Sequence, residues 1–106
     1  MLASSENLRN LKSLELNGNK IRDVGVKALS TAYFSDLEDL SLNDNQLTID
    51  GVSTLKNFSS ILYLSLSGNK LNDSGVETLG SINPEGMVFL CLSRNDFTDK
   101  SVEKFL

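Results

Sequence analysis

The chain contains no histidine and no tryptophan, and it has one cysteine and one proline in 106 residues. Without histidine it lacks the commonest general base and the commonest transition-metal ligand, and a Cys-His nucleophile pair is excluded. A lone cysteine, Cys91, cannot close an intrachain disulfide, which favours a reducing, cytoplasmic setting. No apolar run approaches the roughly 20 residues that a membrane-spanning helix requires, and the first residues show no basic-then-apolar leader pattern. Positive charge is also scarce. Ten Lys and Arg stand against fourteen Asp and Glu, for a net charge of −4, and no basic cluster offers a track for phosphates. Neither nucleic acid nor membrane is an expected partner.

Several motifs are missing as well. There is no Asp-x-Asp calcium loop, Walker-type loop or dinucleotide fingerprint. Asn17-Gly18-Asn19 and Ser67-Gly68-Asn69 read as turns at strand ends rather than phosphate cradles. The acidic run Asp36-Leu37-Glu38-Asp39 reads as a solvated face beside a strand start. The sequence therefore predicts no enzyme, no cofactor and no bound metal.

What the chain does have is self-similarity. Four segments align on Asn19, Asn45, Asn69 and Asn95, at intervals of 26, 24 and 26 residues. Upstream of each stands an apolar-x-x-Leu-x-Leu pattern: Leu11, Leu14, Leu16; Leu37, Leu40, Leu42; Ile61, Leu64, Leu66; and Met87, Leu90, Leu92. Two residues after each Asn come Ile21, Leu47, Leu71 and Phe97. Further on come Gly25, Gly51, Gly75 and Ser101, then Val26, Val52, Val76 and Val102, then Leu29, Leu55, Leu79 and Phe105.

Alternation with period two marks each Leu-x-Leu as a short strand with its leucines facing inward. The following Asn carries a donor and an acceptor that can satisfy backbone groups where the chain turns away, so Asn19, Asn45, Asn69 and Asn95 are expected to form a structural ladder. Val and Leu three apart give the apolar stripe of a helix. Asp23, Asp73 and Asp99 are expected to cap those helices, with Thr48 or Asp50 doing so in the second copy. The helix-start glycines are expected to admit the neighbouring helix closely. A single unit cannot bury its own apolar face, so the copies must stack. Strands about 4.8 Å apart and helices 8–10 Å apart then bend the stack, with the sheet on the inside.

This pattern resembles the leucine-rich repeat. The Gly-Val-x-x-Leu element resembles its ribonuclease-inhibitor-like subclass, and the short period is similar to the GALA-type variant of bacterial effectors, which reads Gly-Ala where this chain reads Gly-Val. The resemblance implies a right-handed α/β solenoid, a horseshoe segment with four parallel strands on the concave face and helices on the convex face. We expect one domain over 1–106, with the end of a preceding repeat at 1–10 and repeats at 11–36, 37–60, 61–86 and 87–106. The two ends read as a cut through a longer array, or as surfaces that pair with another copy.

The resemblance also implies a non-catalytic module that binds a protein partner. Three outward rows would form the surface: Ser13, Asp39, Tyr63 and Phe89; Glu15, Ser41, Ser65 and Cys91; and Asn17, Asn43, Ser67 and Ser93. Tyr63 and Phe89 are the expected anchors, with Glu15 and Asp39 facing a basic partner and Ser41, Ser65 and Cys91 between them. Alternatively the two rings cover each other, or a further repeat covers Phe89. Alternative roles implied by the family are a regulatory segment of a GTPase-activating protein or innate-immune sensor, and a bacterial effector segment acting in a host cytoplasm.

Overall fold

Four three-residue strands build one parallel sheet in a computed structural model of the chain, which describes residues 9–31, 34–82 and 86–100. They are β1 (Ser13–Glu15), β2 (Asp39–Ser41), β3 (Tyr63–Ser65) and β4 (Phe89–Cys91), in the order β1-β2-β3-β4. The register places Leu14, Leu40, Leu64 and Leu90 side by side. The parallel strands and their shared leucine row are as the spacing predicts.

The unequal leucine spacing has a physical cause at the strand entry. The N–H groups of Glu38 and Asp39 both donate to the carbonyl of Lys12. Those of Leu62 and Tyr63 both donate to Glu38, and those of Val88 and Phe89 to Leu62. Consecutive N–H groups sharing one carbonyl mark the point where the two-residue alternation of each strand gives way to the turn before it. Leu37 and Ile61 therefore point inward although they stand three residues, not two, before the next inward leucine. Both are buried.

Behind the sheet run α1 (Arg22–Ser30), α2 (Ile49–Val52) and α3 (Val76–Leu79). Only α1 is long. A 3-10 segment, Ser53–Asn57, continues α2, and another, Asp73–Gly75, leads into α3. Hydroxyls explain part of this brevity: Ser53 Oγ donates to the Asp50 carbonyl at 3.0 Å and Thr54 Oγ1 to that of Gly51 at 2.7 Å. Such back-bonding competes with helix propagation. Val26, Val52, Leu55, Val76 and Leu79 are buried. Most of them pack with the inward strand residues in one cluster, joined by Phe34, Phe58 and Ile82. Phe34 and Phe58 meet at a centroid distance of 6.1 Å and a tilt of 57°. Burial is graded along the stack: Leu40 and Leu64 are fully buried, whereas Leu14 and Leu90 on the outer strands are partly so. Each unit contributes by covering its neighbour.

The capping expectation needs correction. The residue before α1 is Ile21, whose side chain makes no cap bond. Asp23 lies two positions past the cap, inside the helix, and its carboxylate reaches the next copy. There it accepts from the Thr48 N–H at 2.9 Å and from the Thr48 hydroxyl. Asp73 does the same to the N–H of Thr98, at 2.8 Å, and to its hydroxyl. Thr48 caps α2, its Oγ1 accepting from the Asp50 N–H at 3.2 Å. Thr98 Oγ1 accepts from the Lys100 N–H at 3.3 Å, so it stands in the role expected of Asp99. Asn72, not Asp73, receives the Ser74 N–H, at 3.1 Å.

The glycine expectation divides. A Cβ on Gly51 would meet Asp23 of α1, including its Cα at 2.8 Å, and one on Gly75 would meet Ile49 of α2 at 3.2 Å, so both admit the neighbouring helix. Gly25 instead faces Ile21 of its own turn, at 2.3 Å. Ser101, Val102 and Phe105 lie outside the described residues.

These contacts alternate between odd and even copies. Asp23 and Asp73 belong to the first and third, Thr48 and Thr98 to the second and fourth. The residue before the aligned Asn alternates likewise: Gly18, Asp44, Gly68, Arg94.

Candidate functional site

The aligned asparagines lie where the chain leaves each strand. Asn45 Oδ1 accepts from the N–H groups of Asn19 and Ile21 in the preceding copy, at 2.9 and 3.2 Å, while its Nδ2 donates to the carbonyls of Leu16 and Asn43. Asn69 repeats the pattern toward Asn45 and Leu47, each at 3.0 Å. Asn95 accepts from Leu71 N–H at 3.3 Å and donates to Leu66, Leu92 and Ser93. These three are buried, whereas Asn19 is exposed and donates within its own copy to Leu16 and Asn17. The hydrogen bonds of these buried amides all go to backbone, which makes the row structural and not a ligand site.

A second ladder runs across the open face of the sheet. Asn17 Oδ1 accepts from Ser41 Oγ and from the Asn43 N–H, both at 2.7 Å. Asn43 Oδ1 accepts from Ser65 Oγ and from the Ser67 N–H, again both at 2.7 Å. With serine at the next position the ladder changes character: Ser93 Oγ donates to Ser67 Oγ at 2.9 Å, and Ser67 Oγ lies 2.9 Å from Cys91 Sγ. Ser41, Ser65 and Cys91 are thus half-buried and bonded sideways along the sheet. The neighbouring hydroxyl of Ser67, aided by the Ser93 backbone, holds the Cys91 thiol below its ordinary pKa despite partial burial.

The row at the strand starts is different. Ser13, Asp39, Tyr63 and Phe89 are direct lateral partners and all are exposed. Tyr63 is 44% exposed and Phe89 53%, and adjacent Val88 is 67% exposed. The two rings make no ring contact with each other; among the described residues the ring pair is that of Phe34 and Phe58. Preceding this row, at the strand entry, stand Lys12, Glu38, Leu62 and Val88. Glu15 is exposed one step along β1, beside Ser41. The β3–β4 half is therefore apolar and the β1–β2 half acidic. Past the far end of the strands Arg94 pairs with Asp44 at 3.2 Å, both side chains well exposed.

Among the described residues no group of three His, Cys, Asp or Glu side chains could hold a metal ion, and no helix is long and apolar enough to cross a membrane. Sequence reasoning missed the Asn17–Asn43 ladder. Its signal was the polar residue two places before each aligned Asn, read as an outward row without partners.

Stacked strand-turn-helix copies joined by asparagine and leucine rows define a repeat protein. A leucine rich repeat family model matches residues 9–71, more than half of the chain, and the chain belongs to that family. The family implies an α/β solenoid, and its domains are typically non-catalytic and generally mediate protein–protein interaction. Comparison with curated proteins gave no match.

Proposed function

We propose that the chain is a non-catalytic interaction module of the ribonuclease-inhibitor-like subclass, with the short GALA-like period. In this reading it is one right-handed solenoid domain with repeats at 11–36, 37–60, 61–86 and 87–106. A protein partner docks on the concave strand face. The observation that carries this reading is the exposed row at the strand starts. Large apolar side chains seldom stand adjacent on an open sheet face unless something covers them, and aromatic residues supply a disproportionate share of interface energy. Tyr63 and Phe89 are the anchors, Asp39 and Glu15 the charged flank. Ser41, Ser65 and Cys91 form the floor, since their polar hydrogens and lone pairs already serve neighbouring strands.

A photo-cross-linking side chain at Ser13 on the sheet, and another at exposed Lys27 on α1, test the face directly in the cells that make the protein. A protein adduct is expected from Ser13 and lost when Tyr63→Ala and Phe89→Ala are combined. Adducts from Lys27 alone would place the partner on the helices and sink the proposal.

A further inference from the structure

The exposed row is polarised across the strands rather than along them. Going from β4 to β1, the residues at the strand start and entry are Phe89 and Val88, Tyr63 and Leu62, Asp39 and Glu38, then Ser13 and Lys12. The β3–β4 half carries no charge in these rows. The β1–β2 half, with Glu15, carries three carboxylates against one ammonium. Among the described residues the side chains of Glu15, Glu38 and Asp39 make no hydrogen bond or ion pair, so their charge is available to a partner.

We infer that this face takes a basic amphipathic α-helix of a partner protein laid across the strands. Its apolar residues would sit on Leu62, Tyr63, Val88 and Phe89, and its lysines or arginines over Glu15, Glu38 and Asp39. This rests on the sheet-face reading above and specifies the occupant. Spacing argues for a helix. Neighbouring strands stand about 4.8 Å apart, so β3, β2 and β1 lie roughly 5, 10 and 14 Å from β4. A helix rises 1.5 Å per residue, which puts residues i+3, i+7 and i+10 at about 4.5, 10.5 and 15 Å from residue i, nearly in step and on one side. An extended segment crossing the strands presents same-side residues only every ~6.6 Å and falls out of step after one strand. An extended segment running along the strands would meet one polarity only. The matching helix is apolar at i and i+3 or i+4, and basic at i+7 and at i+10 or i+11.

Three labelled peptides of one length read this out by fluorescence anisotropy at low and physiological salt. The first carries leucines and lysines at those positions. The second replaces each lysine by glutamate. The third has the composition of the first with leucine and lysine alternating. The first is expected to bind at least about tenfold tighter than either of the others, with affinity falling as salt rises. Asp39→Lys combined with Glu15→Lys is expected to transfer the preference to the glutamate peptide, and Tyr63→Ala with Phe89→Ala to weaken both. Far-ultraviolet circular dichroism establishes that each variant retains its fold. Equal binding of the lysine and glutamate peptides, an unmoved preference after charge reversal, or tightest binding of the alternating peptide each overturns the inference. An adduct at Ser13 alongside equal peptide binding leaves the sheet-face reading standing and removes the helix; adducts at Lys27 alone remove both.

Discussion

Asp44 and Arg94, fifty residues apart in sequence, pair at 3.2 Å by reaching toward each other over Gly68. The intervening copy has no side chain at that place, and a Cβ there would lie 2.0 Å from Asp44 Oδ1 and 3.0 Å from Arg94 Nη1. Gly68 also has φ +70°, a left-handed conformation that costs any residue with a Cβ about 1 kcal/mol.

Gly18 supplies the control. Its φ is +69°, and a Cβ there would meet nothing within 4 Å. Gly18→Ala reads the backbone term alone, about 1 kcal/mol. Gly68→Ala adds displacement of an exposed ion pair worth about 0–1 kcal/mol. Urea unfolding of both variants is expected to rank Gly68→Ala as equal or worse. Stability unchanged in Gly18→Ala would refute the backbone argument.

Thr48→Val removes a hydroxyl that donates to Asp23 and accepts from Asp50 N–H. The loss combines a helix cap with a charge-assisted bond, and about 1–2 kcal/mol is expected. Thr98→Val removes the equivalent group at a more exposed position and should cost less. Chemical denaturation of the two variants checks the order.

Asn69→Ala strips the acceptor from two buried N–H groups and the donor from three carbonyls. A loss of about 3–5 kcal/mol is expected, because the backbone groups stay buried without partners. Asn19→Ala acts at an exposed end of the same row and should cost under about 1 kcal/mol. Thermal midpoints for the pair would test whether ladder position, not residue type, sets the penalty.

Ser67→Ala deletes the leading cause of the lowered Cys91 pKa. A hydrogen bond to sulfur favours the thiolate, so its removal raises the folded-state pKa. The midpoint of iodoacetamide alkylation rate against pH is expected to move upward, and at a fixed pH below that midpoint the variant should react more slowly. The linked stability follows the same sign. A depressed thiol pKa stabilises the fold above the unfolded value, and this contribution fades as pH falls through the folded one. A midpoint that stays in place would assign the shift elsewhere.

Features that repeat in all four copies are legible in the amino-acid pattern alone. Leu14, Leu40, Leu64 and Leu90 recur at one offset and stand together in the sheet. Contacts made in alternate copies are not legible in that way. Asp23 and Asp73 sit where the pattern predicts a helix cap, and only their pairing with Thr48 and Thr98 shows that they join neighbouring copies. The Asn17–Asn43 ladder is hidden because serine replaces asparagine in the later copies. Phe34 and Phe58 escape alignment because the first interval is 26 residues and the second 24. Of the candidate surface, the aromatic pair and its acidic flank follow from alternation. The sideways bonding of Ser41, Ser65 and Cys91 depends on neighbours that alternation does not specify.

The odd-and-even matching of Asp with Thr, and of glycine with a charged residue, makes two copies the natural step in which such an array can lengthen or shorten. Excising 45–68 would bring Asp23 opposite Asn72 and set Asp44 and Arg94 on adjacent copies with no glycine between them. Excising 45–94 would instead set Asp23 opposite Thr98, its proper kind of neighbour. Gene rearrangements that respect this parity keep the seams between copies intact, whereas a single-copy slip leaves a mismatched joint in the middle of the stack.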